Sequence, residues 1–175
     1  MSKQIQEARA IYGESFYNDY AGVKNIVTED DNMLEFKKGQ RMSLSDNFVS
    51  KEFDCHGVGC CSTTKLDERL VEYLQKIRDH FKRPINITSA YRCETHNARV
   101  GGATRSYHMQ GKAADIVVNG VASREVAKYA ESIGILGIGL YETQADGYFT
   151  HIDTRTTKGF WYGQKEEYRS TFGGA

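Results

Sequence analysis

Three residues of this chain have types and spacing that could hold a metal ion. In "GGATRSYHMQGKAADIVV", residues 101–118, His108 is followed seven positions later by Asp115, and His151 stands further on in "YFTHIDTR". Two imidazoles and one carboxylate, with a fourth position left to water, are the ligand set of a catalytic zinc, whereas a structural zinc is normally closed by four protein ligands. Gly111 lets the chain turn sharply, so a loop residue and a strand residue can aim at the same ion. Period-2 alternation puts Asp115 on the face of Ala113 and Val117, and His151 on the face of Phe149 and Asp153. Asp153 could then support His151 or simply cap the strand end. The spacing of His108 and Asp115 alone has little specificity, and HExxH, GxSxG and the Walker pattern are absent.

The elements that must position these residues can be read in part. Leu66, Leu70, Leu74, Ile77 and Phe81 recur at three- and four-residue spacing, the apolar stripe of one helix. Ser62, Thr63 and Thr64 offer N-caps, Asp67 and Glu68 fall in the first turn, and Pro84 ends the helix. "INITSAYR" holds a short β-rich run over 85–90, and "CETHNARVGG" reads as a helical turn or two stopped by Gly101 and Gly102. "AADIVV" is a second strand, and "SREVAKYAESIG" a second helix capped by Ser123 and ended at Gly134. "GIGLYE" and "YFTHIDTR" are further strands separated by the turn or hairpin loop "TQADG". Helices and strands mix without strict βαβ alternation, which predicts an α+β domain with a mainly antiparallel sheet and flanking helices.

The totals bound the function. The 175 residues fit one domain, read as an N-terminal arm or extension over 1–40 and a main domain over 41–175. "QIQEARAIYGESFYNDY" could form a helix, and "VTEDDNMLEFKKGQ" a charged loop or hairpin. Lys and Arg balance Asp and Glu at 23 each, so no basic excess argues for nucleic acid. No apolar run reaches the ~18 residues of a membrane span, so integral membrane association is not expected. "MSKQIQEARAIYGESFY" lacks the apolar core of a signal peptide, which predicts synthesis in the cytoplasm and another route to any extracellular substrate. The protein is expected to be a monomer.

The residues also carry a family resemblance. Ser89-Ala90-Tyr91-Arg92, with alanine where glycine is usual, is followed by Asn97, Val100, Gly101 and Gly102. Next come Ser106, His108, Gly111, Ala113 and Asp115, and the pattern closes with Phe149-Thr150-His151-Ile152-Asp153. This order resembles the signature of the zinc peptidases that include D-Ala-D-Ala carboxypeptidases and phage L-Ala-D-Glu endopeptidases, over roughly residues 43–165. The resemblance implies a hedgehog/DD-peptidase-like fold and one catalytic Zn2+ held by His108, Asp115 and His151. It implies that Arg92 binds a substrate carboxylate or polarises the scissile carbonyl, and that Ser106 hydrogen-bonds near the site. The substrate would be the peptide moiety of peptidoglycan, and the natural setting a phage or prophage endolysin released through holin-type membrane holes.

One departure leaves alternatives open. Several relatives carry Glu or Asp three positions before the last histidine, where this chain has Tyr148. The general base would then be Glu142 or Asp146, which the sequence does not separate, and Tyr148 could stabilise an oxyanion. The missing acid also motivates a different class, a non-catalytic zinc-containing module that binds the cell wall or a partner. Cys55, Cys60, Cys61, Cys93, His56 and His96 could form a zinc knot, but their spacings match no regular finger, and free thiols are the default reading. A Cys–His hydrolase would use Cys55 or Cys93 with His151 as base. "FWYGQKEEY", residues 160–168, could line a groove or plug the core.

Overall fold

The computed structural model describes residues 32–145, 147–163, 167–168 and 171–172. Strands β1 (Met33–Lys37) and β2 (Thr63–Asp67) form an antiparallel pair. The larger sheet contains β3 (Ile85–Ser89), β4 (Ala113–Val118), β5 (Gly137–Tyr141), β6 (Phe149–Asp153), β7 (Gly159–Tyr162) and β8 (Glu167–Tyr168). Its order is β3-β4-β6-β5-β7-β8, and every neighbouring pair is antiparallel except β5 with β7. The helices are α1 (Glu68–Phe81), α2 (Glu94–Arg99) and α3 (Ser123–Ser132), joined by short 3-10 turns at Ser50–Phe53 and Tyr107–Gln110. The expected α+β class with a mainly antiparallel sheet describes this architecture.

Alternation divides the large sheet into a dry face and a polar face. Ile116, Val118, Ile138, Leu140, Ile152 and Phe160 point into the core. Against that face lie Leu70, Leu74 and Ile77 of α1 and Val126, Ala127 and Ala130 of α3, all buried. The Thr150 hydroxyl donates to the Ser123 carbonyl at 3.0 Å and ties β6 to the start of α3. The opposite face carries Asp115, Gly139, His151, Asp153 and Trp161.

Three local expectations need correction. Thr63 and Thr64 do not cap α1, because they belong to β2, paired with Lys37 and Phe36 of β1. The cap is Asp67, whose carboxylate accepts the Arg69 N–H at 3.0 Å. A residue between a strand and a helix can finish one and open the other, and β-branched threonines suit the strand. Ser123 is the first residue of α3 rather than its cap, and Ala122 holds the cap position without a side-chain bond. Finally, part of the stretch read as an arm is strand β1, with Leu34 and Phe36 buried in the core. At the other end of α1, Lys82 turns left-handed at φ 52° and Pro84 follows two residues later.

Candidate metal centre and its cleft

The register of β4 on β6 places Asp115 directly opposite His151. His108 arrives from the 3-10 turn Tyr107–Gln110, capped by Ser106, whose Oγ accepts the His108 N–H at 3.3 Å. Gly111 ends that turn at φ +73°, and a Cβ there would lie 2.4 Å from the Lys65 carbonyl oxygen. Its own carbonyl accepts the Asp67 N–H at 2.9 Å, so the turn is fastened to the start of α1. Only glycine satisfies both the positive φ and the close approach.

These elements bring three donor atoms together. His108 Nε2 lies 3.2 Å from His151 Nδ1 and 3.3 Å from Asp115 Oδ1, and His151 Nδ1 lies 2.8 Å from the same oxygen. Ligands about 2.0–2.1 Å from a tetrahedral zinc stand about 3.3–3.4 Å apart. The triangle therefore fits such an ion, with one coordination direction left toward the cleft. The remaining ring nitrogens are already used. His108 Nδ1–H donates to the Ala90 carbonyl at 2.7 Å, and His151 Nε2–H donates to Asp153 at 3.1 Å. Such partners fix the tautomer and aim the free nitrogen at the metal position.

Charge is arranged to match. Burial favours a neutral Asp115, but the two imidazoles hold its carboxyl well below the usual carboxylate range. Burial also opposes charge on His151, yet Asp115 and Asp153 on either side raise it to about 9. His108 is pushed down by burial, which outweighs the pull of Asp115. Of the two rings, His151 is the one whose surroundings favour the protonated form. Asp153, fully buried, is lowered to about 2 against its own burial by His151 and Arg155. Arg155 grips both Asp153 oxygens, with Nη2 at 2.6 Å, and its guanidinium lies over the rings of Tyr107 and Trp161.

Around the triangle lies a cleft of about 610 Å³. Arg92, Ser106, His108, Asp115, His151 and Arg155 line it, with Arg105 among the other lining residues. Tyr141, Phe149 and Trp161 form an aromatic wall, in which Tyr141 stacks on Phe149 and its hydroxyl accepts the Trp161 Nε1–H at 3.0 Å. The polar half of the cleft is cationic, and among the described residues Asp115 is the acid that lines it.

The sequence candidates fall into distinct places. Arg92 is in the cleft, its Nη2 paired with the outer oxygen of Asp115 at 2.7 Å and its Nε donating to Ser89 Oγ at 2.8 Å. Ser106 lines the cleft and caps the turn that presents His108. Glu142 is committed elsewhere: both its oxygens accept from Arg124, at 3.0 and 2.5 Å, and Oε2 also accepts the Tyr162 hydroxyl at 2.8 Å. Its carboxylate is not among those lining the cleft, which counts against it as a base acting at the triangle. Asp146 lies outside the described residues. Tyr148 is exposed at φ 50° and does not line the cleft. No cysteine lines the cleft among the described residues, so the Cys–His arrangement is not formed there. The aromatic run at 160–162 serves both purposes weighed for it: Phe160 packs on Phe172 in the core, and Trp161 faces the cleft. Arg155 escaped the sequence reading, though "HIDTR" places it on the same strand face as His151 and Asp153.

The chain is similar to known wall enzymes. It is 34% identical to the probable peptidoglycan L,D-endopeptidase MepK of Haemophilus influenzae over 106 residues, covering 54% of this chain and 55% of the relative. It is 37% identical over 96 residues to the peptidoglycan L,D-endopeptidase MepK of Escherichia coli (strain K12), covering 51% of each. The chain thus spans about half the length of the curated relatives it matches. A family model described as Peptidase M15 matches residues 43–153, a span that contains His108, Asp115 and His151. With well over half of its 175 residues inside that match, the chain belongs to the Peptidase M15 family.

Proposed function

We propose that this chain is a zinc-dependent peptidase that hydrolyses the peptide moiety of bacterial peptidoglycan, acting as an endopeptidase at an L,D bond. The observation that carries the reading is the triangle of His108, Asp115 and His151 donor atoms beside a cleft lined by Arg92, Arg105 and Arg155. The similarity to two proteins described as L,D-endopeptidases supports an L,D bond over a terminal D-Ala-D-Ala bond. The hedgehog/DD-peptidase-like topology belongs to the same proposal.

Zinc bound at the triangle supplies a water of lowered pKa and a Lewis acid for the scissile carbonyl. The chain's own groups do the rest. Ala90 and Asp153 hold the two imidazoles in the ligating tautomer. The arginines draw in the carboxylates of an anionic wall peptide, since a guanidinium fork matches carboxylate oxygens. Arg92, poised beside Asp115, polarises the scissile carbonyl and stabilises the negative charge that develops on its oxygen. Tyr141, Phe149 and Trp161 shield one side of the cleft from water. The proton acceptor is assigned to Asp146, because the Glu142 carboxylate is already held by Arg124 and Tyr162.

The test is digestion of purified peptidoglycan by the zinc-loaded protein, with product masses naming the bond cut. His108→Ala should abolish cleavage together with zinc binding at the triangle. Asp146→Asn should lower kcat by at least about 10²-fold, the usual contribution of a general base, with Glu142→Gln nearly silent. Wall binding without cleavage by the zinc-loaded protein would replace the enzyme with the non-catalytic wall-binding module.

A further inference from the structure

A second cluster of metal-ligating side chains lies outside the cleft. Cys55, Cys60, Cys61 and Cys93 come from two segments far apart in sequence, yet their Sγ atoms all lie within 4.8 Å of one another. The separations are 3.6 Å for Cys55–Cys60 and 3.8 Å for both Cys55–Cys93 and Cys60–Cys61. Four thiolates about 2.3 Å from one tetrahedral zinc stand about 3.8 Å apart. All four cysteines are free. An iron–sulfur cube interposes inorganic sulfides and would spread its cysteine sulfurs considerably wider than this.

The surroundings are built for sulfur. The Cys93 N–H points to Cys55 Sγ at 3.5 Å, and the His96 N–H to Cys93 Sγ at 3.4 Å. Donors of this kind stabilise thiolate charge and orient ligands. Gly57 leaves room for the cluster, since a Cβ there would lie 2.4 Å from Cys60 Sγ and 3.0 Å from His96 Cβ. The loop over 54–62 has little apolar content to hold it down, and its one large apolar residue, Val58, is 90% exposed. Lys38 Nζ donates to the Gly57 carbonyl at 2.7 Å, a surface tie that does not replace a core.

We propose that Cys55, Cys60, Cys61 and Cys93 bind a second zinc ion, structural rather than catalytic, that clamps the loop over 54–62 to the start of α2. All four positions are supplied by protein, which leaves no place for water or substrate. The clamp closes beside the metal cleft: Cys93 follows Arg92, and the Arg92 N–H donates to the His108 carbonyl at 3.1 Å. It therefore steadies the arginine paired with Asp115.

The test counts metal. Protein purified under reducing conditions should carry two zinc equivalents by elemental analysis and native mass spectrometry. His108→Ala should retain one of them, and a thiol-specific mercurial should release that one. Cobalt loaded into His108→Ala should show the intense sulfur-to-cobalt charge-transfer absorption of a thiolate site. Cys93→Ser in that background should lose both the band and the remaining equivalent. If the serine variant fails to fold, mercurial release from His108→Ala still decides the matter. A zinc-free His108→Ala whose four thiols react equally fast with and without zinc would overturn the proposal. So would iron at the site, or an intact mass showing the cysteines joined as disulfides.

Discussion

Asp153 is the most informative residue to perturb, because it touches the metal centre only through His151. Asp153→Asn keeps the size of the side chain and removes its charge. The carboxylate accepts His151 Nε2–H on one side and the Arg155 fork on the other, and it is fully buried. An amide satisfies one of these donors with its oxygen and turns its NH2 toward the other. Loss of a carboxylate behind a metal-binding histidine lowers metal affinity about 10–100-fold, or about 1.4–2.7 kcal/mol. Breaking a buried ion pair costs about 3–5 kcal/mol, but the Arg155 side chain is 20% exposed, so about 2–3 kcal/mol is expected here. Zinc affinity is read by competition with a chromophoric chelator, and stability by denaturant melting of the metal-free protein. An Asp153→Asn variant that binds zinc as tightly as the parent would refute the argument that Asp153 aims His151. Lower stability with unchanged affinity would reduce Asp153 to a structural partner of Arg155.

Three further outcomes follow from the same geometry. Gly139→Ala would set a Cβ 2.5 Å from the Trp161 indole, so the ring must move. The emission of the chain's single tryptophan should change, with a stability loss of about 1–3 kcal/mol. Asp67→Ala removes the cap of α1 and the partner of the Thr154 hydroxyl, 2.6 Å away; urea melting should show a loss of about 2–4 kcal/mol. Leu74→Ala, at a fully buried position of α1, should cost about 2–5 kcal/mol in the same assay and leave zinc affinity unchanged.

The sequence revealed most where a local pattern and a short-range geometry coincide. The stripe of α1 and the alternation of β4 and β6 are written in consecutive residues, and so the faces of Asp115 and His151 were legible. What escaped depends on partners distant along the chain. Thr63 and Thr64 read as helix caps until their pairing with Lys37 and Phe36 makes them strand. Glu142 is a plausible base in sequence, and its commitment to Arg124 and Tyr162 exists only in three dimensions. The four cysteines match no finger spacing because two separate loops bring them together.

The pairing of Asp115 with His151 carries one more consequence. Slipping β6 by one residue against β4 would turn His151 into the core and push Ile152 out toward the cleft, since successive side chains alternate faces. Only the correctly zipped sheet sets the Asp115 and His151 donors side by side. A one-residue insertion or deletion within β4 or β6 should accordingly separate the two donors.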